Sequence, residues 1–227
     1  ITDVNYINRA TKGVYEFGSV FKTFTVAAGF NEGLIEPNTE YLNLKKQIEC
    51  NGFKIREYSD KTPTDLTVEE ILIRSGNIGS VRIGQKIGEE KFKSFLKKIG
   101  VQGTIDFDIQ EVGKPTPINW GKCKLATASY GHGITTTLLQ VAKGYAIVTN
   151  GGYDIQPTII QKKIVEKHSN QETPLQNNTL IEPEKPLPLL LLIVIKNEHS
   201  ILSSNLYLSA VHLRLFKNSV KDFFILS

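Results

Sequence analysis

Ser19 and Lys22 stand three residues apart at the mouth of an apolar stretch spanning residues 20–29. A serine hydroxyl is a poor nucleophile at neutral pH and needs a base within hydrogen-bond reach. Residues i and i+3 of a helix share a face one turn apart, so a lysine amine there reaches the hydroxyl. To accept a proton the lysine must be neutral for part of the cycle. Burial against Phe21 and Phe24, together with nearby positive charge, would move its pKa in that direction. A serine at a helix start also brings backbone N–H groups that can stabilise a developing oxyanion. A second cluster, Ser75-Gly76-Asn77, offers a hydroxyl that can relay a proton and an amide that can bind a peptide carbonyl or a lysine amine. Each pattern by itself is common, because serine often caps helices and Ser, Gly and Asn favour loops.

These residues need elements to place them. From Ser19 onward Val20, Phe21, Phe24, Ala27 and Ala28 recur at helical spacing, and Gly29, Asn31 and Gly33 supply the stop. The spacing predicts a buried helix beginning at or just before Ser19. Thr67-Val68-Glu69-Glu70 is a capping box opening a short helix with Ile71, Leu72 and Ile73, which runs directly into Arg74-Ser75-Gly76-Asn77. Apolar periodicity resumes at Ile78, Val81 and Ile83. Between the two clusters, residues 34–63 read as a surface excursion with short strands, since Asn51-Gly52 is a turn signal and Phe53-Lys54-Ile55-Arg56 alternates. Residues 89–99 place Phe92, Phe95, Leu96 and Ile99 on one helical face, with Gly100 as C-cap. Residues 101–120 read as loop. A further helix is expected to carry Leu139, Ala142, Tyr145 and Ala146 inward and to close at Asn150-Gly151-Gly152, followed by a strand over residues 157–165.

Composition narrows the classes. The chain has 227 residues, 40% of them hydrophobic, enough for one sizeable core. Its formal charge of +4 comes from basic residues scattered in short runs such as Lys45-Lys46 and Lys97-Lys98, which suits a solvated face and not a nucleic-acid site. Cys50 and Cys123 can form one disulfide or none, and neither lies in a metal-binding pattern. Cys123, near Trp120, reads as packing. The chain contains no methionine and begins abruptly at Ile1, so it reads as a fragment; its longest apolar run, residues 187–195, is interrupted by Pro188 and is too short to cross a bilayer.

Ser-x-x-K followed by Ser-x-Asn is the active-serine signature of penicillin-recognising enzymes. Here Asn8-Arg9-Ala10, Tyr15-Glu16-x-Gly18-Ser19-x-Phe21-Lys22, Arg74-Ser75-Gly76-Asn77 and Ala126-Thr127-Ala128-Ser129-Tyr130-Gly131-His132-Gly133 occur in order. Over about residues 5–165 the chain resembles the transpeptidase domain of class B penicillin-binding proteins, nearest to the cell-division type. The resemblance implies an α/β (α+β) fold of the penicillin-binding transpeptidase and serine β-lactamase-like kind, incomplete here, with an antiparallel central sheet flanked by helices. It implies that Ser19 attacks the D-Ala-D-Ala carbonyl of a peptidoglycan stem peptide, Lys22 takes the serine proton, Ser75 passes it to the leaving amine, and Asn77 positions the acyl side chain. β-Lactam antibiotics would acylate the same serine. No metal or organic cofactor is implied, nor a nucleic-acid partner. The implied location is the periplasmic face of a bacterial inner membrane, with the anchor and any contacts to other cell-division proteins in parts not present. His132 falls at a variable position between two glycines and reads as structural.

Two departures stand out. Phe17 replaces the family's usual proline before Gly18-Ser19, which loosens the approach to the serine without removing a catalytic group. More seriously, neither Lys-Thr-Gly nor Lys-Ser-Gly occurs anywhere in the 227 residues. That third motif supplies a cation for the substrate carboxylate and one oxyanion donor, whose loss alone slows a reaction by roughly 10²- to 10³-fold. Composition also shifts near residue 166, to Gln, Asn, Pro and Glu and then to aliphatic residues. The expected organisation is a partial transpeptidase domain over residues 1–165 and a tail over 166–227 that is frame-shifted, truncated or disordered. An inactive remnant is the alternative reading; a class D β-lactamase or β-lactam sensor ranks lower, because those carry Ser-x-Val where this chain has Ser75-Gly76-Asn77. Sequencing the parent DNA checks the origin of the tail: a change of reading frame near codon 166 is expected, and a single undisturbed frame sinks the frame-shift account.

Overall fold

A computed structural model describes residues 7–160. The expected boundary near 165 and the tail over 166–227 lie outside the described residues. The architecture is α+β, with helices around one core and three two-stranded antiparallel ladders among the described residues. In chain order the elements are β1 (Val14–Glu16), a 3-10 turn (Gly18–Phe21), α1 (Lys22–Asn31), β2 (Glu40–Tyr41), β3 (Gln47–Cys50), β4 (Phe53–Arg56), β5 (Leu66–Thr67), α2 (Val68–Ile73), α3 (Asn77–Ile87), α4 (Glu89–Lys98), α5 (Lys124–Ala128), β6 (Thr135–Thr137) and α6 (Leu138–Thr149).

The predicted helix at Ser19 is present, but its first turn is 3-10 and the regular helix begins at Lys22. Every residue from Lys22 to Phe30 is buried, as expected of a helix surrounded by its neighbours. Phe24 is the hub. Its ring meets Phe21 edge-on at 5.4 Å and Tyr145 at 5.0 Å, and it lies against Gly144 of α6. Gly29, expected to help end the helix, lies inside it and admits the Ile35 side chain, while the left-handed Gly33 follows the last turn.

The excursion forms as predicted. Asn51 and Gly52 both take positive φ (50° and 83°), the pair of conformations that a two-residue hairpin with matching twist requires, and they join β3 to β4 with Cys50 opposite Phe53. The capping box at α2 is also present: the Glu70 amide donates to Thr67 Oγ1 (3.2 Å) and the Thr67 amide to Glu70 Oε2 (2.9 Å). A second box, not anticipated, opens α6 through Thr137 and Gln140. It corrects the expected inward face of that helix. Gln140, Val141, Gly144, Ile147 and Val148 are buried; of the four expected inward, Tyr145 does pack its ring on Phe24, while Leu139, Ala142 and Ala146 are only half-buried. The physical reason is that the cap sets the rotation of the first turn, and Gly144 is the position that can approach Phe24. The strand expected over 157–165 is absent from residues 157–160, and residues 161–165 lie outside the described residues.

Three tethers hold this part of the fold, two of them at the candidate nucleophile's approach. β1 pairs with β6, with Glu16 opposite Thr135, which brings the loop before β6 alongside the 3-10 turn. In that loop Gly131, at φ +87°, packs so tightly on the turn that an added Cβ would stand 1.8 Å from the Gly18 carbonyl oxygen. Phe17, in place of proline, stacks edge-on with Tyr15 at 6.0 Å and packs against the core, so contact replaces ring rigidity. The third tether is covalent. Cys50 and Cys123, whose pairing was open on sequence grounds, form a disulfide across 73 residues with Cα atoms 5.7 Å apart, joining the β3–β4 hairpin to the start of α5. Closing a loop of that length stabilises the fold by about 4 kcal/mol in the chain-entropy picture.

Two stability outcomes follow from these tethers. Replacing both cysteines by serine is expected to lower the urea-unfolding free energy by about 2–4 kcal/mol, and an unchanged midpoint would refute the closure. Gly131→Ala is expected to lose about 2–4 kcal/mol, from left-handed strain plus overpacking. Gly18→Ala, whose Cβ meets nothing within 4 Å, should lose only about 1–2 kcal/mol. Equal losses in thermal unfolding would show that the close approach is not what disfavours a side chain at position 131.

Candidate active site

The 3-10 turn leaves Ser19 exposed and carries the chain into α1 so that Lys22, one turn on, is buried; the Lys22 amide donates to the Ser19 carbonyl. Lys22 then reaches across to the second cluster. Its Nζ donates to Ser75 Oγ at 2.9 Å, to Asn77 Oδ1 at 2.7 Å and to the Ser75 carbonyl at 2.5 Å. An ammonium has three N–H donors, and all three are used. Burial lowers the Lys22 pKa from 10.5 to about 8, partly opposed by the negative charge of Glu57. The lowering expected from burial is therefore present. The expected neighbouring positive charge is not: the charge acting on Lys22 is a carboxylate, which works in the other direction.

The backbone delivers Ser75 in a costly conformation. Its φ is +54°, and it occupies the left-handed position that ends α2, with the Ser75 amide donating to Leu72 O and the Gly76 amide to Ile71 O. That two-bond helix ending normally uses glycine, and a side chain there costs about 1–2 kcal/mol. Glycine would remove the strain and with it the hydroxyl. Such local strain marks functional positions when surrounding structure enforces it. Here the conformation turns both the hydroxyl and the carbonyl of Ser75 toward Lys22.

Asn77 opens α3 with its amide orientation settled by chemistry: Nδ2 donates to the Arg56 carbonyl at 2.8 Å while Oδ1 accepts from Lys22. The N-cap of α3 is Gly76, which has no side chain to satisfy the first amides. Glu57 does so from the end of β4, Oε2 accepting from the Asn77 amide and Oε1 from the Ile78 amide, both at 2.8 Å. Sequence reasoning missed Glu57, since its partners lie 20 and 21 residues away and no local pattern announces them.

Of the four residues singled out, the structure gathers Lys22, Ser75 and Asn77 in one hydrogen-bonded group. Ser19 stands one turn away, and its hydroxyl makes no hydrogen bond among the described residues. The donor count is compatible with the expected exchange. A neutral amine has two N–H groups, enough for Asn77 Oδ1 and the Ser75 carbonyl, and its lone pair is then open to a hydroxyl proton. Tyr145, also missed in this role, braces the turn from below: its hydroxyl lies 2.9 Å from both the Val20 carbonyl and Thr23 Oγ1, and burial pushes its pKa to about 12. His132 lies beside the turn, its Nδ1 2.8 Å from Glu16 Oε1 and its ring stacked on Tyr130 at 6.1 Å. This pair is solvent-facing, worth about 0–1 kcal/mol. Among the described residues no group of three or more His, Cys, Asp and Glu side chains is gathered to hold a metal ion, and no helix is long and apolar enough to cross a membrane.

Comparison with known proteins agrees with this geometry. Residues 2–185 match the family described as penicillin binding protein transpeptidase domain. A probable peptidoglycan D,D-transpeptidase FtsI of Caulobacter vibrioides is 30% identical over 162 residues, 71% of this chain and 27% of that protein. Penicillin-binding protein PbpB of Mycolicibacterium smegmatis is 28% identical over 182 residues, 79% of this chain and 26% of that protein. The chain thus spans about a quarter of the length of these relatives. Among solved structures, the transpeptidase domain of Burkholderia pseudomallei penicillin-binding protein 3 superposes with a TM-score of 0.67 at 25% identity, over 78% of this chain and 51% of that one. Penicillin-binding protein 3 of Mycobacterium tuberculosis, solved in complex with aztreonam, gives 0.62 at 25% identity over 68% of this chain and 35% of that one. With most of its length matched by the family and its helices and short ladders arranged as in these domains, the chain belongs to the penicillin-binding protein transpeptidase domain family.

Proposed function

We propose that this chain is the serine-bearing part of a peptidoglycan D,D-transpeptidase, an acyltransferase of cell-wall cross-linking, with Ser19 as nucleophile, Lys22 as base, Ser75 as proton relay and Asn77 as substrate-binding amide. The observation that carries the reading is a buried lysine with its pKa lowered to about 8, bonded to Ser75 and Asn77 and one turn from an exposed serine. Neutral Lys22 takes the Ser19 proton as Oγ bonds to the penultimate D-alanine carbonyl carbon of a stem peptide. The C–N bond to the terminal D-alanine then breaks, and the proton returns through Ser75 to that leaving amine. In the second half an amine of a neighbouring stem peptide attacks the ester and gives up a proton to neutral Lys22, the C–O bond to Ser19 breaks, that proton passes to the Ser19 oxygen, and a cross-link forms. A β-lactam enters by the same first step, its ring C–N bond opening in place of the peptide bond.

The Cys50–Cys123 disulfide suits an oxidising, extracytoplasmic setting, which supports a location on the periplasmic face of a bacterial membrane; the likeness to a probable FtsI transpeptidase supports a role in cell division alongside other proteins of that process. Residues 1–165 form the transpeptidase part in this reading and 166–227 a tail; the family match itself runs on to residue 185. The second reading, a remnant that binds wall peptides without turnover, is favoured by the lack of any Lys-Thr-Gly or Lys-Ser-Gly tripeptide.

A fluorescent penicillin added to the purified chain distinguishes them. Covalent labelling is expected, slower than in complete relatives by roughly 10²- to 10³-fold for a lost oxyanion donor, and abolished by Ser19→Ala. A protonated Lys22 cannot accept a proton, so the labelling rate should climb with pH, about tenfold per unit, and level off above about 8. A folded chain that takes no label supports the remnant.

A further inference from the structure

Glu57 takes no part in the steps above, yet it sits at the junction of the groups that do. Both of its carboxylate oxygens are committed to the first turn of α3, through the Asn77 and Ile78 amides at 2.8 Å each. The residue before it, Arg56, accepts from Asn77 Nδ2 at 2.8 Å. Asn77 is therefore held at its backbone N–H and its side-chain N–H by consecutive residues of one strand end, which leaves Oδ1 pointing at Lys22. The strand end is itself anchored, because the Glu57 amide donates to the Lys46 carbonyl and extends the β3–β4 ladder by one bond. Glycine at the N-cap supplies no side chain to compete for these amides.

We propose that Glu57 is a positioning residue of this active site, holding the first turn of α3 so that the Asn77 amide meets Lys22, and supplying the negative charge that the Lys22 ammonium faces. The other charged groups nearby are engaged elsewhere. Arg56 turns its Nε to Gln47, Glu70 is held in the capping box of α2, and Glu16 pairs with His132 on the exposed side of the turn. Ser75 and Asn77, which contact the amine directly, are uncharged. Glu57 thus sets how far burial can depress the lysine: its charge holds the proton on Lys22 to higher pH than burial alone would.

The kinetic part of this inference rests on the proposed function, and the test separates the two. In chain labelled with 13C at the lysine ε carbon, the Lys22 signal is identified by its loss in Lys22→Arg, and its titration is followed by NMR with no substrate present. Glu57→Gln keeps the shape and one acceptor oxygen but removes the charge, so the Lys22 midpoint should fall by roughly one pH unit. The inflection of the penicillin-labelling rate should fall with it. Glu57→Asp keeps the charge on a shorter arm; its midpoint should stay within a few tenths of wild type while labelling slows through misplacement of Asn77. A purely structural role would slow labelling at every pH without moving either midpoint, and that result, or an upward shift in Glu57→Gln, overturns the inference. Should Glu57→Gln not fold by circular dichroism, the smaller neutral variant Glu57→Ser is titrated in its place: a midpoint lowered by roughly one unit supports the charge role, and an unmoved midpoint refutes it. Wild-type chain that takes no penicillin label while its Lys22 titration responds to Glu57→Gln would defeat the proposed function and leave this inference standing.

Discussion

The burial of one ammonium group governs the arrangement of this domain. Lys22 opens α1, whose residues through Phe30 are all buried, and a lone charge there would be prohibitively unstable. It is tolerated because three acceptors converge on it from residues 53 and 55 positions further along the chain. Those acceptors exist only where α2 ends and α3 begins, so the junction between these helices and the first turn of α1 must be placed together to within a hydrogen bond. Much of the surrounding construction serves that requirement: the capping box that fixes where α2 starts, the left-handed Ser75 that ends it, and the Glu57 carboxylate that closes the N-terminus of α3.

The same arrangement accounts for the chemistry of the lysine. Desolvation pulls its pKa down, and the nearby carboxylate holds it from falling further. The outcome is a group whose neutral form is within reach near physiological pH. The strained Ser75 belongs to this balance, since a residue with relaxed geometry at that helix end would be glycine and would carry no hydroxyl.

On the other side of the site, the turn that carries Ser19 is held by two backbone contacts and one side-chain brace. Gly131 rests directly on Gly18, the β1–β6 ladder holds the two segments in register, and Tyr145 supports the Val20 carbonyl from the core. The disulfide adds a longer-range constraint, fastening the hairpin that carries Arg56 and Glu57 to the segment leading into α5. The serine can therefore remain exposed while everything that determines its position is fixed.

The sequence by itself determined the local features. A capping box, an Asn-Gly hairpin, helical spacing after Ser19 and the two short motifs each depend on residues within about one turn of one another, so their physics is written in adjacent letters. Family membership was legible for the same reason, through ordered blocks at Ser19, Ser75 and Tyr130. Only the tertiary structure decided the rest. That Lys22 bonds Ser75 and Asn77 and not Ser19, that its charged neighbour is Glu57, that Gly131 must be bare because Gly18 lies against it, that α6 turns Val141 and Gly144 inward, and that Cys50 and Cys123 are joined all depend on which segments meet across the core. These contacts bridge chain separations from 20 to more than 100 residues, and no local pattern encodes them, because burial and close approach are properties of the packed whole.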